Sequence, residues 1–213
     1  MAKPRTPKGR AQRTHQLLAL EYPEALCELD HETPFQLLIA TILSAQATDV
    51  GVNKVTPGLF ARCPDAVALA EARLGDVEQL IGSLGLFRTK AKNIVLCAQQ
   101  LLERHGGEVP LPMSDLVALA GVGRKTANVV RSVALGLPGL PVDTHVLRLS
   151  GLLGLSQETD PVKVELALNP LVPAAERGAF SLRMILHGRR VCVARRPNCE
   201  DCVLNQFCPS SRV

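Results

Sequence analysis

Four cysteines lie close together near the C-terminus, in the pattern Cys192-x6-Cys199-x2-Cys202-x5-Cys208. So short an interval lets four thiolates reach one centre, and four cysteine ligands suit either zinc or a [4Fe–4S] cluster. Zinc sites more often use two separated CxxC pairs, and this segment has one such pair. Because the sequence shows no sign of secretion, the cluster predicts a metal centre before disulfides.

A second chemical feature is the run from Leu111 to Ala127, which predicts a helix, a tight turn and another helix. Gly121 and Gly123 permit backbone conformations closed to other residues, and they let the backbone approach a ligand closely. The next helix is expected to begin at about Arg124, and its first amide N–H groups lack partners within the helix. This turn therefore predicts a phosphate site. A bare Gly-x-Gly also suits an ordinary helical hairpin, so the prediction depends on the fuller string.

Two ionisable residues follow the turn. Lys125 lies in the first turn of the second helix, where the dipole disfavours a cation and favours a neutral, nucleophilic amine. The alternative is a solvated lysine or a plain phosphate contact. Asp143 is placed to cap the next helix. If the Gly/Pro-rich loop at 136–141 folds the chain back, that carboxylate could also accept a proton or stabilise a cationic sugar.

The elements that must position these residues are nearly all helical, since no segment alternates with period two for long. The start at Pro34 is the clearest, because Thr33 can be the N-cap and Gln36 can complete a capping box. The 88–104 helix is expected to end at Gly106. By their apolar spacing, helices are expected at about 13–20, 34–46, 50–60, 65–72, 76–82, 88–104, 114–119, 124–135, 144–153, 161–168 and 173–188.

Composition narrows the function classes. The chain has 213 residues, 46% of them hydrophobic, which is enough to bury a core, and its net charge of +4 weakly indicates a polyanionic partner. Aromatic residues are 3% with no Trp, which argues against rows of stacking aromatics. No apolar run fits a membrane span or a signal core, so we expect no membrane partner and a cytoplasmic location, nucleoid-associated in a bacterium.

The N-terminus concentrates positive charge. Five cations precede the first acid: Lys3, Arg5, Lys8, Arg10 and Arg13. Pro4, Pro7 and Gly9 predict that residues 1–12 form a disordered basic arm rather than a regular element. Such an arm can track phosphates or remain a solvated tail.

Two strings carry a family resemblance: Gly-Val-Gly-Arg-Lys-Thr-Ala-Asn-Val-Val, and further on Val-Asp-Thr-His-Val. Both closely resemble the endonuclease III family, over roughly residues 11–210. The resemblance implies base excision repair of duplex DNA by a bifunctional glycosylase for oxidised pyrimidines. The Lys125 amine would attack C1′ of the damaged nucleotide with Asp143 as its partner, and the resulting imine would undergo β-elimination. It also implies a [4Fe–4S] cluster on the four cysteines, interpreted as structural.

Two further motifs share the resemblance, Leu43–Asp49 and Gly85–Ala91. In the family the Gln of the first and the Leu of the second enter the duplex, which implies those roles for Gln46 and Leu86. The alternatives are a helix-terminal Gln and a loop Leu packed on the core. One departure is Phe87, where the family has Tyr. The expected DNA contacts are Gln46, Leu86, Lys90, Gly121, Val122, Gly123, Arg124, Thr144, His145, Arg195 and Arg196.

The resemblance implies an all-α fold of two domains. A six-helix barrel with the helix–hairpin–helix would span 27–137, and an iron–sulfur domain would join 1–26 to 138–213. We expect a monomer that binds double-stranded DNA containing damaged or abasic nucleotides.

Three alternatives remain at this point. A mismatch adenine glycosylase is similar, but its family usually lacks the Lys at position 125 and carries an extra C-terminal domain. A DNA-binding module with a structural metal would need neither Lys125 nor Asp143. A ferredoxin-like carrier would have no use for the long helical body.

Overall fold

The computed structural model describes residues 3–213, and within this range it contains helices and no β-strand, which confirms the all-α prediction. No helix in this range is long and apolar enough to cross a membrane. The α-helices are α1 (Pro7–Glu21), α2 (Pro34–Leu43), α3 (Asp49–Arg62), α4 (Ala66–Glu71), α5 (Leu74–Leu80), α6 (Phe87–His105), α7 (Met113–Val117), α8 (Arg124–Val133), α9 (Thr144–Leu152), α10 (Pro161–Leu168) and α11 (Arg177–Arg190). Two 3-10 helices, Asn169–Leu171 and Ala174–Glu176, lie between α10 and α11.

The chain divides into two compact units. We call Cys27–Gly136 the hairpin unit, because it contains the predicted phosphate-binding turn. The cluster unit joins the N-terminal residues up to Leu26 with Leu137–Val213, and it contains the four clustered cysteines. Residue 137 therefore groups with the cluster unit, one position earlier than the expected boundary.

The hairpin unit is built around α2. Every residue of this helix beyond Pro34 is buried except Gln36, as expected of a helix that is apolar on all sides. Its start is fixed as the sequence predicts, with Thr33 Oγ1 accepting the Gln36 N–H at 3.2 Å. Gln36 Oε1 accepts the Glu32 N–H at 2.8 Å. The unit has seven helices where the resemblance implies six, and α4 and α7 are only six and five residues long.

The cluster unit has its own apolar core, formed by α1, α9, α10 and α11. Leu18, Phe180 and Met184 are completely buried in it. After α11 the chain runs to the C-terminus without another helix, and the buried Leu204, with the partly buried Val203 and Phe207, packs this last segment against the core.

The prediction of a disordered arm over residues 1–12 is wrong for its second half. Helix α1 begins at Pro7, because Thr6 Oγ1 accepts the Gly9 N–H at 3.1 Å and a proline is favoured in the first turn. Arg10 is part of the unit rather than of an arm, since its Nη2 donates to the Gly154 carbonyl at 2.7 Å. Met1 and Ala2 lie outside the described residues.

Candidate active site and metal centre

Buried apolar side chains support the turn between α7 and α8. Leu116, Leu119 and Val122 are buried, so of Val122 only the backbone remains for a DNA contact. Gly121 has a φ of +75°. A Cβ at this position would lie 2.9 Å from Ile42 Cγ2 and 3.0 Å from Asn93 Cβ, too close for either to be tolerated. Backbone conformation and packing therefore both require glycine here.

Gly123 differs from Gly121, and it corrects the expectation that both glycines need unusual dihedral angles. Its φ of −86° and ψ of 172° are ordinary extended values. A Cβ added here would meet nothing within 4 Å. Gly123 is the N-cap of α8, and glycine has no side chain that could cap the helix. The turn thus places helix-terminal amides behind a residue without a side chain, an arrangement that suits anions.

Lys125 is exposed in the first turn of α8, immediately after this turn. Its surroundings include Cys27, a residue that the sequence argument passed over. Burial raises the pKa of the Cys27 thiol, and among the smaller influences Asp49 raises it and Lys125 lowers it. Nothing in the local sequence around Cys27 signals this proximity.

Asp143 is the N-cap of α9. Its Oδ1 accepts two N–H groups, from His145 at 2.8 Å and from Val146 at 2.9 Å. The capping role thus occupies one carboxylate oxygen, and within residues 3–213 no hydrogen bond reaches Oδ2. Next to it Thr144 is exposed, while the half-buried His145 has its Nδ1 3.3 Å from Arg148 Nη2.

Gln46 and Leu86 share an unusual backbone conformation. They are the non-glycine residues with positive φ in the described part of the chain, at +53° and +58°. Left-handed backbone costs an ordinary residue about 1–2 kcal/mol, and such strain is concentrated at functional positions. Leu86 is 60% exposed, so it is not the core leucine that was the alternative interpretation. Gln46 is also exposed, beyond the end of α2.

The structure corrects the expectation for Lys90. Its side chain is only 4% exposed, because it lies on the face of α6 that also buries Ile94 and Leu101. The amine is buried without a hydrogen-bond partner, and desolvation lowers its pKa. This lysine therefore does not present its charge to DNA, whereas Arg195 and Arg196 are both fully at the surface.

The four clustered cysteines line one cavity of about 150 Å³ in the cluster unit, and none of them forms a disulfide. Burial raises the pKa of Cys202 and Cys208, and negative charge on the neighbouring cysteines adds to the effect. Deprotonating these two thiols is unfavourable unless a cation compensates, as a metal centre does.

The donor set alone allows either candidate metal. Among the described residues no three His, Cys, Asp or Glu side chains are arranged to hold a single metal ion. Four cysteines that line one cavity are the ligand set that a [4Fe–4S] cluster needs, and these residues would hold it.

Polar side chains that the sequence argument missed surround this cavity. Arg148 Nη1 donates to the Cys192 carbonyl at 2.6 Å, and its Nη2 donates to the Gly188 carbonyl at 3.2 Å. His187 is buried beside Cys202, and burial lowers its pKa to about 4. These partners come from distant parts of the sequence, so no local pattern indicates them.

Comparison with known proteins places this arrangement in a family. Residues 39–174 match the model of the HhH-GPD superfamily of base excision DNA repair proteins, and residues 192–208 match the iron–sulfur binding domain of endonuclease III. Endonuclease III of Synechocystis sp. is 52% identical over 96% of this chain and 94% of its own length. The Escherichia coli K12 enzyme is 42% identical over 87% of this chain and 88% of its own.

Comparison with solved structures supports the same family. A solved structure of a trapped covalent intermediate between endonuclease III and DNA has a TM-score of 0.90 and 42% identity, and the match covers 96% of both chains. Neither a metal-binding module without activity nor an adenine glycosylase is favoured by these likenesses. The chain belongs to the endonuclease III family of base excision repair proteins, and it is a DNA glycosylase and AP lyase that carries a [4Fe–4S] cluster.

Proposed function

We propose that this enzyme releases oxidised pyrimidines from duplex DNA and cleaves the abasic site through a Schiff base on Lys125. One observation carries the assignment: an exposed lysine lies in the first turn of α8, directly behind a helix N-terminus that has glycine as its N-cap and suits a phosphate. An amine fixed next to a bound phosphate lies within reach of the adjoining sugar. The preference for oxidised pyrimidines rests on the family resemblance.

The reaction begins with attack of the neutral amine on C1′ of the damaged nucleotide. The new N–C1′ bond replaces the glycosidic bond, and the base leaves with the electron pair and gains a proton. Ring opening gives an imine, β-elimination then breaks the C3′–O bond, and water releases the amine. Lys125 is exposed in the free protein, so its amine is accessible to a nucleotide that DNA binding brings to it.

Asp143 has a separate role in this proposal. Its Oδ1 is committed to the α9 cap, which fixes the direction of the carboxylate, while Oδ2 is available. A carboxylate held this way can accept the proton that the amine loses and stabilise positive charge on the sugar as the base departs. Reorganisation is small because the cap already holds the side chain.

Four groups of residues would hold the DNA. The backbone at Gly121–Gly123 binds a phosphate, and Arg195 and Arg196 add positive charge at the surface of the cysteine loop. Leu86 enters the base stack and Gln46 contacts the base left without its partner, as an enzyme that flips a base requires. The strained, exposed backbone at both positions supports this assignment.

Cys192, Cys199, Cys202 and Cys208 would hold the [4Fe–4S] cluster, which supplies the cross-link that orders the last segment of the chain. The protein would act as a monomer on DNA in the cytoplasm.

Borohydride trapping tests the proposal. A duplex with one thymine glycol, and a second with a preformed abasic site, are incubated with wild type, Lys125→Gln and Lys163→Gln under reducing borohydride. Lys163 is an exposed lysine on α10 and serves as the matched control. We expect Lys125→Gln to abolish the covalent adduct and strand cleavage while abasic-site binding persists, and Lys163→Gln to behave as wild type. An adduct formed by Lys125→Gln at the wild-type rate would show that another amine is the nucleophile.

A further inference from the structure

His187 on α11 has two hydrogen-bonding neighbours that the proposed reaction does not use. The side chain is 1% exposed. Its Nε2 lies 3.3 Å from Cys202 Sγ, and its Nδ1 lies 3.2 Å from the hydroxyl of Tyr22, which follows α1. The Tyr22 and His187 rings meet edge to face, with centroids 6.1 Å apart. A buried polar ring with a partner at each nitrogen is fixed in orientation.

The chemistry of the partners determines the position of the ring proton. When Cys202 ligates iron it is a thiolate and can only accept, so Nε2 must carry the proton. Nδ1 of the neutral ring then accepts, and the Tyr22 hydroxyl is the donor. Burial raises the pKa of Tyr22, so its hydroxyl keeps its proton. Arg183 Nε donates to the Tyr22 carbonyl at 3.2 Å, which holds Tyr22 in place.

We propose that His187, oriented by Tyr22, is a positioning residue that donates an N–H hydrogen bond to the Cys202 thiolate and thereby raises the reduction potential of the cluster. One-electron reduction adds negative charge to the irons, sulfides and thiolates. A donor at a ligand sulfur stabilises that charge, so it favours the reduced form. The inference rests on the proposed ligation of the cluster by Cys202, and it does not depend on the reaction at Lys125.

Other donors also lie near the ligand sulfurs: the backbone N–H of Leu204 bonds to Cys202, and those of Ser210 and Ser211 bond to Cys208. Arg148 Nη1 lies 3.6 Å from Cys192 Sγ, but its 2.6 Å bond to the Cys192 carbonyl directs it to the backbone. Cys208 Sγ faces the Leu152 carbonyl at 3.7 Å, where the sulfur is the donor, and this contact ends when the thiol loses its proton. The contact from His187 is therefore shorter than that from Arg148, and it brings a side-chain donor to the sulfur itself.

Direct voltammetry of the iron-loaded, full-length protein without DNA tests this inference, with the electrode as the electron source. His187→Phe keeps a planar ring and removes the donor, whereas His187→Gln keeps an N–H at a similar reach. Tyr22→Phe leaves the histidine but removes the hydroxyl that holds its ring in orientation. We expect a shift to more negative potential for His187→Phe, a return towards the wild-type value for His187→Gln, and an intermediate shift for Tyr22→Phe.

Iron content and visible absorption are measured on each variant first. An iron-loaded His187→Phe protein with the wild-type potential would overturn the inference. If His187→Phe does not load iron, the potential of the Tyr22→Phe protein is the test. A wild-type potential in that variant would also overturn the inference. Cys202→Ala separates the two hypotheses, because alanine offers no donor atom: a full wild-type iron content in that variant would remove Cys202 from the ligand set and leave the lyase assignment untouched.

Discussion

The phosphate-binding turn and the cysteine loop are fixed by different means. In the hairpin unit, packing sets the turn: Gly121 lies directly against Ile42 and Asn93, and α2 is buried on nearly all sides. In the cluster unit, the chain after α11 has no helix, and its apolar contacts with the core are the buried Leu204 and the partly buried Val203 and Phe207. Apolar burial therefore specifies the first region, whereas the second needs the metal to complete its structure. Single substitutions can show whether a residue supports the structure by packing, holds the metal or takes part in the reaction.

The largest effect is expected from Asp143→Asn, which separates chemistry from packing. Asn caps a helix about as well as Asp, so the fold and the iron content should not change. Loss of the negative charge should slow base release by about 10²–10⁴-fold. Single-turnover release of thymine glycol measures this, and some cleavage of preformed abasic sites should remain because no base then has to leave.

Asp160→Asn is the matched control. Asp160 caps α10 with the same geometry, its Oδ1 accepting N–H groups at 3.0 and 2.9 Å. Base release by this variant should equal that of wild type. Equal losses in the two variants would assign Asp143 to stability alone.

Removal of one cysteine tests whether the metal orders the cysteine loop. Wild-type protein is expected to contain about four irons per chain, and Cys199→Ala should lose them together with the order of the loop that carries Arg195 and Arg196. Two phosphate contacts would then be lost, which lowers the slope of log affinity against log salt by about 2. Hydrogen exchange should rise after residue 191 and stay low in α2 and α8. Stoichiometric zinc in anaerobically purified protein would refute the assignment.

Gly123→Asp tests the turn without disturbing its packing. A Cβ here meets no atom, and Asp is a better N-cap than glycine by a few tenths of a kcal/mol, so the thermal midpoint should hold or rise. Affinity for an abasic duplex should fall about tenfold, because the carboxylate occupies and repels the phosphate position. Gly75→Asp, in the first turn of α5 and equally open, should leave affinity unchanged. The same loss in both variants would indicate a general charge effect.

Leu86→Gly is expected to have the smallest effect on the stability of the protein without DNA. Glycine relieves the positive φ, so stability should rise or stay level, within about 1 kcal/mol. Base release from duplex DNA should nevertheless fall, while release from a single-stranded substrate changes less, because no stack needs a wedge there. Leu96→Ala, an exposed leucine within α6, is the control. Equal loss of activity on both substrates would remove Leu86 from the duplex-probing role.

Much of the architecture follows from local sequence patterns. Thr33 and Pro34 begin α2 as predicted, Gly106 ends α6 in a left-handed conformation, and the predicted bounds of 161–168 are those of α10. These features depend on capping and periodicity, which act over a few residues. The prediction failed for residues 7–12, because Thr6 and Pro7 form a good helix start that outweighs the single glycine.

The remaining features of the site depend on distant residues. Lys90 is buried because it lies on the face of α6 that packs against the core. The sequence alone does not show whether this lysine is buried or contacts DNA. Tyr22 and His187 meet although 165 positions separate them. Positive φ at Gln46 and Leu86 opposes the ordinary preference of both residue types, so propensity predicts the reverse.

The cluster unit is built from two separate segments of the chain, and this affects folding during synthesis. Helix α1 leaves the ribosome before its partner α11, which is synthesised only after the entire Cys27–Gly136 segment; that segment takes several seconds at about 5–20 residues per second. During that interval Leu18, which is completely buried in the finished protein, has no native partner. The hairpin unit can complete its core within this time, whereas α1 must wait with an apolar stripe exposed to chaperones and neighbouring nascent chains.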